Sequence, residues 1–196
     1  MTALQEKLAA VKLLVLDFDG VLTDNQVYVM QDGSEMVRCY RGDGIGIERL
    51  KAAGVRVVVL SGESNPVVQV RCQKLGIPAY IGVNGEDKRR ILFSLVVPCS
   101  VSEMAYVGND LNDLQCLTAV GVPIVTADCE VELLRKGFYR TTRAGGMGAV
   151  REVCDLIADA KLGFSPESLG ILGRTASPDH PWCPTCLRDL DPKLLL

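Results

Sequence analysis

The feature that most constrains the fold of this sequence is the alternation of strand-like and helix-like segments between residues 11 and about 160. Short apolar runs, such as V-R-V-V-V-L at 55–60, alternate with amphipathic segments that end at glycine. Repeated strand–helix units predict a parallel sheet covered by helices on both faces. We therefore predict an α/β fold with a doubly wound parallel sheet. The connections after the strands are short, so we expect no cap domain.

One segment departs from this alternation. Residues 26–30 and 36–40 are two short runs of alternating polarity on either side of a Q-D-G-S turn sequence, which predicts a β-hairpin insertion at 26–40. Residues 163–196 contain five of the nine prolines and show no clear periodicity. We therefore predict a single domain over residues 1–162, followed by a C-terminal tail at 163–196.

The charge balance argues against two classes of partner. The chain has 24 acidic and 21 basic residues, a net charge of −3, so neither nucleic acid nor an anionic membrane is expected as the main partner. No apolar run approaches the ~20 residues of a membrane span, and the N-terminus lacks the apolar region of a secretory signal. We therefore expect a cytoplasmic protein that acts on a small molecule.

The cysteines allow a second type of site. Six of the eight stand singly among apolar neighbours and are interpreted as free buried thiols. Cys183 and Cys186 form the only C-x-x-C pair, and His180, the only histidine, lies three residues earlier. The pair supplies half of a zinc site or a redox couple. An ordinary tail segment remains the commoner interpretation of such a pair.

Asp17 and Asp19 are the strongest candidates for catalytic residues. They follow a buried apolar run at 11–16, and open α/β sheets keep their active sites at the carboxyl ends of such strands. Two neighbouring carboxylates repel each other and therefore favour a divalent cation between them. An aspartate beside such a cation can attack phosphorus while its neighbour moves the proton. The alternative is a strand-to-turn junction in which Asp and Gly only form the turn.

Three further sites follow other predicted strands or the loops beyond them. Ser61 and the Gly62 N–H suit a phosphate oxygen, Lys88 can neutralise phosphoryl charge, and the segment Asn109–Asp113 supplies oxygen ligands for Mg²⁺. Each has a structural alternative, namely a turn, a solvated helix start and a helix cap. Because the ends of parallel strands meet at one edge of a sheet, we expect all of these sites to share one crevice.

Four segments together resemble the ordered motifs of haloacid-dehalogenase-superfamily phosphatases. They are D-F-D-G-V-L-T-D at 17–24, L-S-G-E at 60–63, D-K at 87–88 and Y-V-G-N-D-L-N-D at 106–113. Segments 40–47, 71–77 and 143–157 resemble the capless branch of that superfamily. This branch contains the 3-deoxy-D-manno-octulosonate 8-phosphate phosphatases, the nonulosonate (sialic-acid-type) 9-phosphate phosphatases, and similar domains fused to acylneuraminate cytidylyltransferases.

The resemblance implies roles for individual residues. Asp17 would be the nucleophile that forms an aspartyl-phosphate, and Asp19 the acid and base. Mg²⁺ would be bound by the Asp17 side chain and the Asp19 backbone carbonyl, with Asn109 and Asp110 completing the shell and Asp113 in support. Ser61, Gly62 and Lys88 would hold the phosphoryl group. The resemblance also implies a homotetramer in which the hairpins assemble between subunits and a neighbour covers each active site.

Two positions depart from the octulosonate pattern. Asn109 stands where those enzymes usually carry aspartate, which implies either weaker Mg²⁺ binding or a greater contribution from Asp110. Glu63 replaces the arginine of their Thr-Gly-Arg segment. With Lys74, Glu63 favours the nonulosonate side of the branch. The expected substrate is an acidic 2-keto-3-deoxy sugar phosphate, whose charges Lys88, Arg41, Lys74 or Arg143 would match. The alternative is a non-catalytic oligomerisation module associated with sugar-nucleotide synthesis, of the kind that makes CMP-sialic acid.

Overall fold

The protein was analysed as a computed structural model that describes residues 2–96 and 98–163. Its main sheet has six parallel strands in the order β5-β4-β1-β6-β7-β8, and a separate two-stranded sheet is formed by β2 and β3. The strands are β1 (Leu13–Leu16), β2 (Thr23–Val29), β3 (Glu35–Cys39), β4 (Arg56–Leu60), β5 (Ala79–Tyr80), β6 (Met104–Gly108), β7 (Val122–Val125) and β8 (Tyr139–Arg140). The predicted parallel α/β fold is confirmed.

Within the described residues, seven α-helices cover this sheet: α1 (Ala3–Ala10), α2 (Gly42–Ala52), α3 (Pro66–Leu75), α4 (Gly85–Ser94), α5 (Leu114–Leu117), α6 (Val131–Leu134) and α7 (Ala149–Lys161). Successive side chains of β1 point to opposite faces, as the period of a strand requires. Leu14 and Leu16 lie in a core with residues of α1, α2, α3 and α7, whereas Leu13 and Val15 lie in a second core with residues of α4, α5 and α6. The sheet is therefore covered on both faces.

Strand β1 lies at the centre of the sheet. Leu16 pairs in parallel with Val59 of β4 on one side and with Val107 of β6 on the other. The Asp17 N–H continues the ladder by donating to the Val107 carbonyl at 2.9 Å. The segments that follow β1, β4 and β6 therefore leave the sheet side by side at its carboxyl edge, as predicted for a common crevice.

The predicted hairpin forms, but it begins three residues earlier than expected, at Thr23. Tyr28 pairs with Met36 in an antiparallel ladder, and the register shifts between Thr23 and Val27. The hairpin exposes apolar side chains, including Tyr28 at 58% and Val29 at 66% of their surface.

Several helix boundaries differ from the sequence-based expectation. Helix α1 was not predicted; its N-cap Thr2 and Gln5 form a reciprocal capping box. Residues 111–117 form a 3₁₀ turn at Leu111–Asp113 and the short α5 instead of one continuous helix. The last helix begins at Ala149, after the glycine segment 145–148. A Cβ on Gly145 or Gly146 would overlap the backbone of the 20–24 loop, so this glycine segment packs as a loop against it.

Some expectations fall outside the described residues. The tail at 163–196 is described only at Gly163, so the roles of Cys183, Cys186 and His180 and the domain boundary stay predictions. Within residues 2–96 and 98–163, no helix is long and apolar enough to span a bilayer. The cytoplasmic location also stays a prediction. The six cysteines of the described part are free thiols, and all but Cys39 are buried.

Candidate active site

A cavity of about 190 Å³ opens at the carboxyl edge of the sheet. Seven residues predicted from the sequence line it together: Asp17, Asp19, Ser61, Gly62, Glu63, Asn109 and Asp110. Asn25, Asn84 and Asn112 complete its wall. Four of these ten residues are acidic, and neither lysine nor arginine from the described part of the chain lines the cavity.

Asp17 lies at the base of the cavity and exposes only 4% of its surface. Its Oδ1 accepts a hydrogen bond from the Phe18 N–H at 2.8 Å and lies 3.0 Å from Lys88 Nζ. Burial, reinforced by the charge of Asp113, raises the pKa of Asp17 to about 8, although Lys88 opposes the rise. A buried carboxylate with so high a pKa needs further positive charge in order to ionise near neutral pH.

Lys88 lies behind Asp17 and is fully buried. Its ammonium also contacts Asp113 Oδ1 at 2.7 Å, and the Tyr106 hydroxyl donates to that oxygen at 2.7 Å. Lys88 therefore bridges two carboxylates and does not itself line the cavity. Its predicted contact with a phosphoryl group stays a prediction.

Asp113 also shapes the segment after β6. Its Oδ2 accepts a hydrogen bond from the Asn109 N–H at 3.0 Å. A Cβ on Gly108 would lie 2.5 Å from this carboxylate, so only glycine allows the backbone to pass so close. Asp113 therefore connects the buried lysine to the loop that presents Asn109 and Asp110 to the cavity.

Asp19 lies at the mouth of the cavity. The Thr23 hydroxyl donates to Asp19 Oδ1 at 3.3 Å and accepts from the N–H groups of Gly20 and Asn25, each at 3.2 Å. Partial burial raises the pKa of Asp19 above its ordinary value. A carboxyl group that keeps its proton at higher pH is suited to donate it to a leaving group.

The segment after β4 forms the opposite wall of the cavity. The Glu63 N–H donates to Ser61 Oγ at 3.0 Å, and a Cβ on Gly62 would overlap the Asn84 side chain. Glu63 Oε1 accepts from the N–H groups of Ser64, at 2.6 Å, and Asn65, at 2.8 Å. Glu63 therefore stabilises its own loop as well as adding negative charge beside Asp19.

A second cavity, of about 270 Å³, adjoins the first along the hairpin. The two cavities share Asp19, Asn25 and Glu63. The rest of the second cavity is lined by Gln26, Val27, Glu35, Val37, Asn65 and Val67. Among the described residues, no lysine or arginine lines this cavity either.

The three peripheral basic residues predicted to contact a substrate line neither cavity within one chain. Arg41 precedes α2, Lys74 is in the last turn of α3, and Arg143 lies beside Gly148 near the start of α7. All three side chains are exposed. Their contact with a substrate stays a prediction.

The oxygen donors of the first cavity fit a hard divalent cation. Within residues 2–96 and 98–163, no three His, Cys, Asp or Glu side chains cluster closely enough to bind a metal by themselves. However, the Asp17 carboxylate, the Asn109 amide and the Asp110 carboxylate line one cavity, and backbone carbonyls are also ligands for Mg²⁺. Burial raises the pKa of Asp17, so a cation bound beside it would stabilise its ionised form.

Sequence reasoning missed four residues of this region. Tyr106 is a polar residue in a strand that is otherwise small and apolar, and it stands two positions before Gly108, which was a usable signal. Thr23, Asn25 and Asn84 belong to ordinary turn sequences. Their position at the cavity depends on contacts with residues distant in the sequence, so no local pattern identified them.

The chain is similar to curated proteins over most of its length. No family model matches it. It is 36% identical over 159 residues to the 3-deoxy-D-manno-octulosonate 8-phosphate phosphatase KdsC of Salmonella typhi, covering 80% of this chain and 84% of that protein. It is 37% identical over 150 residues to the enzyme of the same name from Escherichia coli K12, covering 75% and 79%.

Solved structures show the same similarity. The 3-deoxy-D-manno-octulosonate 8-phosphate phosphatase of Moraxella catarrhalis, in complex with a magnesium ion, a phosphate ion and KDO, matches with a TM-score of 0.78 and 34% identity over 84% of this chain and 95% of that one. The cobalt-bound deoxy-D-mannose-octulosonate 8-phosphate phosphatase of Haemophilus influenzae matches with a TM-score of 0.74 and 30% identity, covering 85% and 96%.

Proposed function

Because this chain belongs to the haloacid-dehalogenase superfamily, in the family of 3-deoxy-D-manno-octulosonate 8-phosphate phosphatases, we propose that it hydrolyses the phosphate monoester of an acidic 2-keto-3-deoxy sugar. The observation that supports this most directly is the buried Asp17, which shares one cavity with Asp19 at the carboxyl edge of the sheet. The chain is a phosphatase. We propose the identity of its sugar substrate and the steps of its mechanism.

The cofactor is a divalent metal ion, Mg²⁺ in our proposal. The residues that would hold it are Asp17, through its carboxylate, Asp19, through its backbone carbonyl, Asn109 and Asp110. When bound, the ion neutralises charge on the phosphoryl oxygens and favours the ionised form of Asp17. The amide of Asn109 is a weaker ligand than a carboxylate because it contributes no net charge.

In the first step, the Asp17 carboxylate attacks phosphorus and the bond between phosphorus and the sugar oxygen breaks. Asp19, whose raised pKa favours the protonated form, donates its proton to that oxygen, so the sugar leaves as an alcohol. The product on the enzyme is an aspartyl-phosphate at Asp17. Ser61 and the Gly62 N–H would bind the transferred oxygens, and Lys88 would stabilise charge from behind Asp17.

In the second step, water attacks the phosphorus of the aspartyl-phosphate. Asp19, now ionised, accepts a proton from this water, and the acyl–phosphate bond breaks. Inorganic phosphate leaves, the Asp17 carboxylate is restored, and Asp19 is again protonated. One carboxyl group thus serves as acid and then as base, because the water attacks opposite Asp17, from the position that the leaving oxygen has vacated.

The cavity is too acidic to bind an anionic sugar unaided. Four acidic residues line it: Asp17, Asp19, Glu63 and Asp110. Lys88 already forms ion pairs with Asp17 and Asp113 and does not line the cavity. We propose that the missing cations are supplied by Lys74, Arg41 or Arg143 of a neighbouring copy in a homotetramer. The exposed apolar side chains of the hairpin support an assembly through that element.

Two substrates fit this proposal. A nonulosonate 9-phosphate is favoured by Glu63 together with Lys74, and an octulosonate 8-phosphate by the names of the similar proteins. The two differ in the length and substituents of the sugar chain. The choice therefore depends on the second cavity and on what a neighbouring copy adds to it.

The test is a phosphatase screen of the full chain with Mg²⁺ against octulosonate 8-phosphate, two nonulosonate 9-phosphates and simple sugar phosphates. We expect one sugar acid phosphate to exceed the simple esters in kcat/KM, EDTA to abolish turnover, and Asp17→Asn to abolish it without changing the circular dichroism spectrum or the oligomer. Undiminished turnover by Asp17→Asn would refute the covalent mechanism. A chain that binds the esters without hydrolysing any would favour the non-catalytic module.

A further inference from the structure

We propose that Asn25 determines which leaving groups this phosphatase accepts, by donating a hydrogen bond to a hydroxyl group of the sugar chain where the two cavities meet. This inference deepens the function proposed above and rests on it. The leaving groups that it selects are polyhydroxylated chains, in contrast to flat or apolar alcohols.

The position of Asn25 is the first observation. It is one of three residues, with Asp19 and Glu63, that line both cavities. Asp19 is the proposed proton donor to the leaving oxygen, so a leaving group extends from Asp19 into the second cavity. A leaving group that extends into the second cavity therefore passes Asn25.

The backbone of Asn25 is the second observation. Its φ of 60° is the only positive value at a residue other than glycine in the described part of the chain. The conformation is held by the Asn25 N–H, which donates to the same Thr23 hydroxyl that donates to Asp19. Glycine adopts this conformation without strain, so the turn itself does not require the asparagine side chain.

The chemistry of the second cavity is the third observation. Glu35 and Glu63 are acceptors when ionised, and Val27 and Val37 offer apolar contact to the carbon atoms of a chain. The Asn65 amide is already used, because its Nδ2 donates to Glu35 at 2.7 Å and its Oδ1 accepts from the Val67 N–H at 3.0 Å. Gln26 also carries an amide but lines the second cavity alone, whereas Asn25 lines both cavities. Asn25 therefore supplies an N–H donor beside Asp19, and a substrate hydroxyl can accept from it while donating its own hydrogen to a glutamate.

The test compares two kinds of ester in the full-length enzyme with Mg²⁺. The quantity measured is kcat/KM for the polyol phosphate that the wild type hydrolyses fastest, divided by kcat/KM for phenyl phosphate. In Asn25→Gly this ratio should fall about tenfold, the size of one lost hydrogen bond to substrate. The melting temperature should not fall, because glycine suits the backbone at this position.

Two further variants make the result specific. Asn25→Asp tolerates the same backbone but has no N–H donor, and it should also lower the ratio. Asn112→Gly removes the same side chain from the first cavity alone, and it should leave the ratio within about twofold of the wild type. An unchanged ratio in Asn25→Gly overturns the role of Asn25.

Failure of the proposed function gives a different result. If the wild type prefers some other polyol phosphate to both sugar acid phosphates, the proposed substrate class is wrong, and the ratio for that polyol ester still decides the role of Asn25. If the wild type hydrolyses phenyl phosphate and no polyol ester, both proposals are overturned.

Discussion

Lys88 Nζ lies 2.7 Å from Asp113 Oδ1, and both side chains are completely buried. Burial alone would lower the pKa of Lys88, but the carboxylates of Asp17 and Asp113 raise it above its usual value. The lysine therefore stays charged behind the nucleophile. Since the other oxygen of Asp113 accepts from the Asn109 N–H, one aspartate fixes both the lysine and the loop that lines the cavity.

The first prediction concerns stability. Asp113→Asn replaces one acceptor oxygen by an NH₂ group among donors from Lys88, Tyr106 and the Asn109 backbone. We expect it to lower the free energy of unfolding by about 2–3 kcal/mol, measured by urea denaturation. The control is Asp87→Asn in the exposed pair with Arg90, where the loss should stay below about 1 kcal/mol. Equal losses in the two variants would contradict a structural role for the buried network.

The second prediction concerns the metal. Asn109→Asp adds a negative charge to the cavity that contains Asp17 and Asp110, so Mg²⁺ should bind about tenfold more tightly. Isothermal titration with Mg²⁺ measures this independently of activity. Asn112→Asp, at the exposed rim, should have a smaller effect because water screens its charge. If the two variants bind Mg²⁺ equally well, Asn109 is not a ligand.

The third prediction concerns substrate choice. Glu63→Arg should shift the ratio of specificity constants towards octulosonate 8-phosphate, because it introduces the arginine that the octulosonate enzymes usually carry at this position. Glu63 Oε1 also accepts two backbone hydrogen bonds, which arginine cannot do. Glu63→Gln is therefore the matched control, since it keeps an acceptor and removes the charge. An unmoved ratio in both variants would show that Glu63 does not select the sugar.

The fourth prediction concerns pH. Asp43 is fully buried, and burial raises its pKa from 3.8 to about 6 although Arg151 N–H donates to it at 3.0 Å. The folded state holds the proton of Asp43 more tightly than the unfolded state does. The stability that this proton contributes is therefore fully present below the unfolded pKa of 3.8 and is lost as the pH rises through the folded pKa of about 6. A shift of this size corresponds to at most about 3 kcal/mol.

Asp43→Asn should therefore gain stability relative to the wild type between about pH 4 and about pH 7.5, measured by urea denaturation at both values. Asp32 provides the control, because hydrogen bonds from Ser34 lower its pKa in the exposed hairpin turn. Asp32→Asn should run nearly parallel to the wild type between about pH 4 and about pH 7.5, with a trend of the opposite sign only below about pH 4. A parallel stability curve for Asp43→Asn and wild type would mean that Asp43 titrates normally.

The boundaries predicted best were those fixed by local chemistry. Asn65 caps α3 and Pro66 begins it. An Asn-Pro pair favours such a boundary, because the Asn65 side chain accepts from the Val67 N–H and proline lacks an N–H that would have no partner in the first turn. Asp17, Ser61 and Asn109 were placed together correctly because parallel strands deliver their carboxyl ends to one edge. Both the helix boundary and the common crevice follow from rules that can be applied to a single sequence.

The remaining features depend on tertiary contacts. Asn25 lies in an ordinary turn sequence. It stands out from other turn residues only because the folded chain places it in the wall that two cavities share. Lys88 was expected in the common crevice, but it lies behind Asp17, where it forms an ion pair with Asp113. Lys74 shares a helix with the capping Asn65 but is in its last turn, about 13 Å farther along the axis at 1.5 Å per residue. The sequence alone does not predict the direction in which each of these side chains points.

The contact between the glycine segment and the 20–24 loop also sets an order of events during synthesis. Gly146 N–H donates to the Val21 carbonyl at 3.1 Å, and Lys161, at the end of α7, donates to the Ala9 carbonyl at 3.0 Å. The ribosome makes Asp17 and Asp19 more than 120 positions before it makes the residues that complete their loop. A nascent chain therefore contains its nucleophile long before it can use it, and the phosphatase gains activity only when almost the entire domain has emerged.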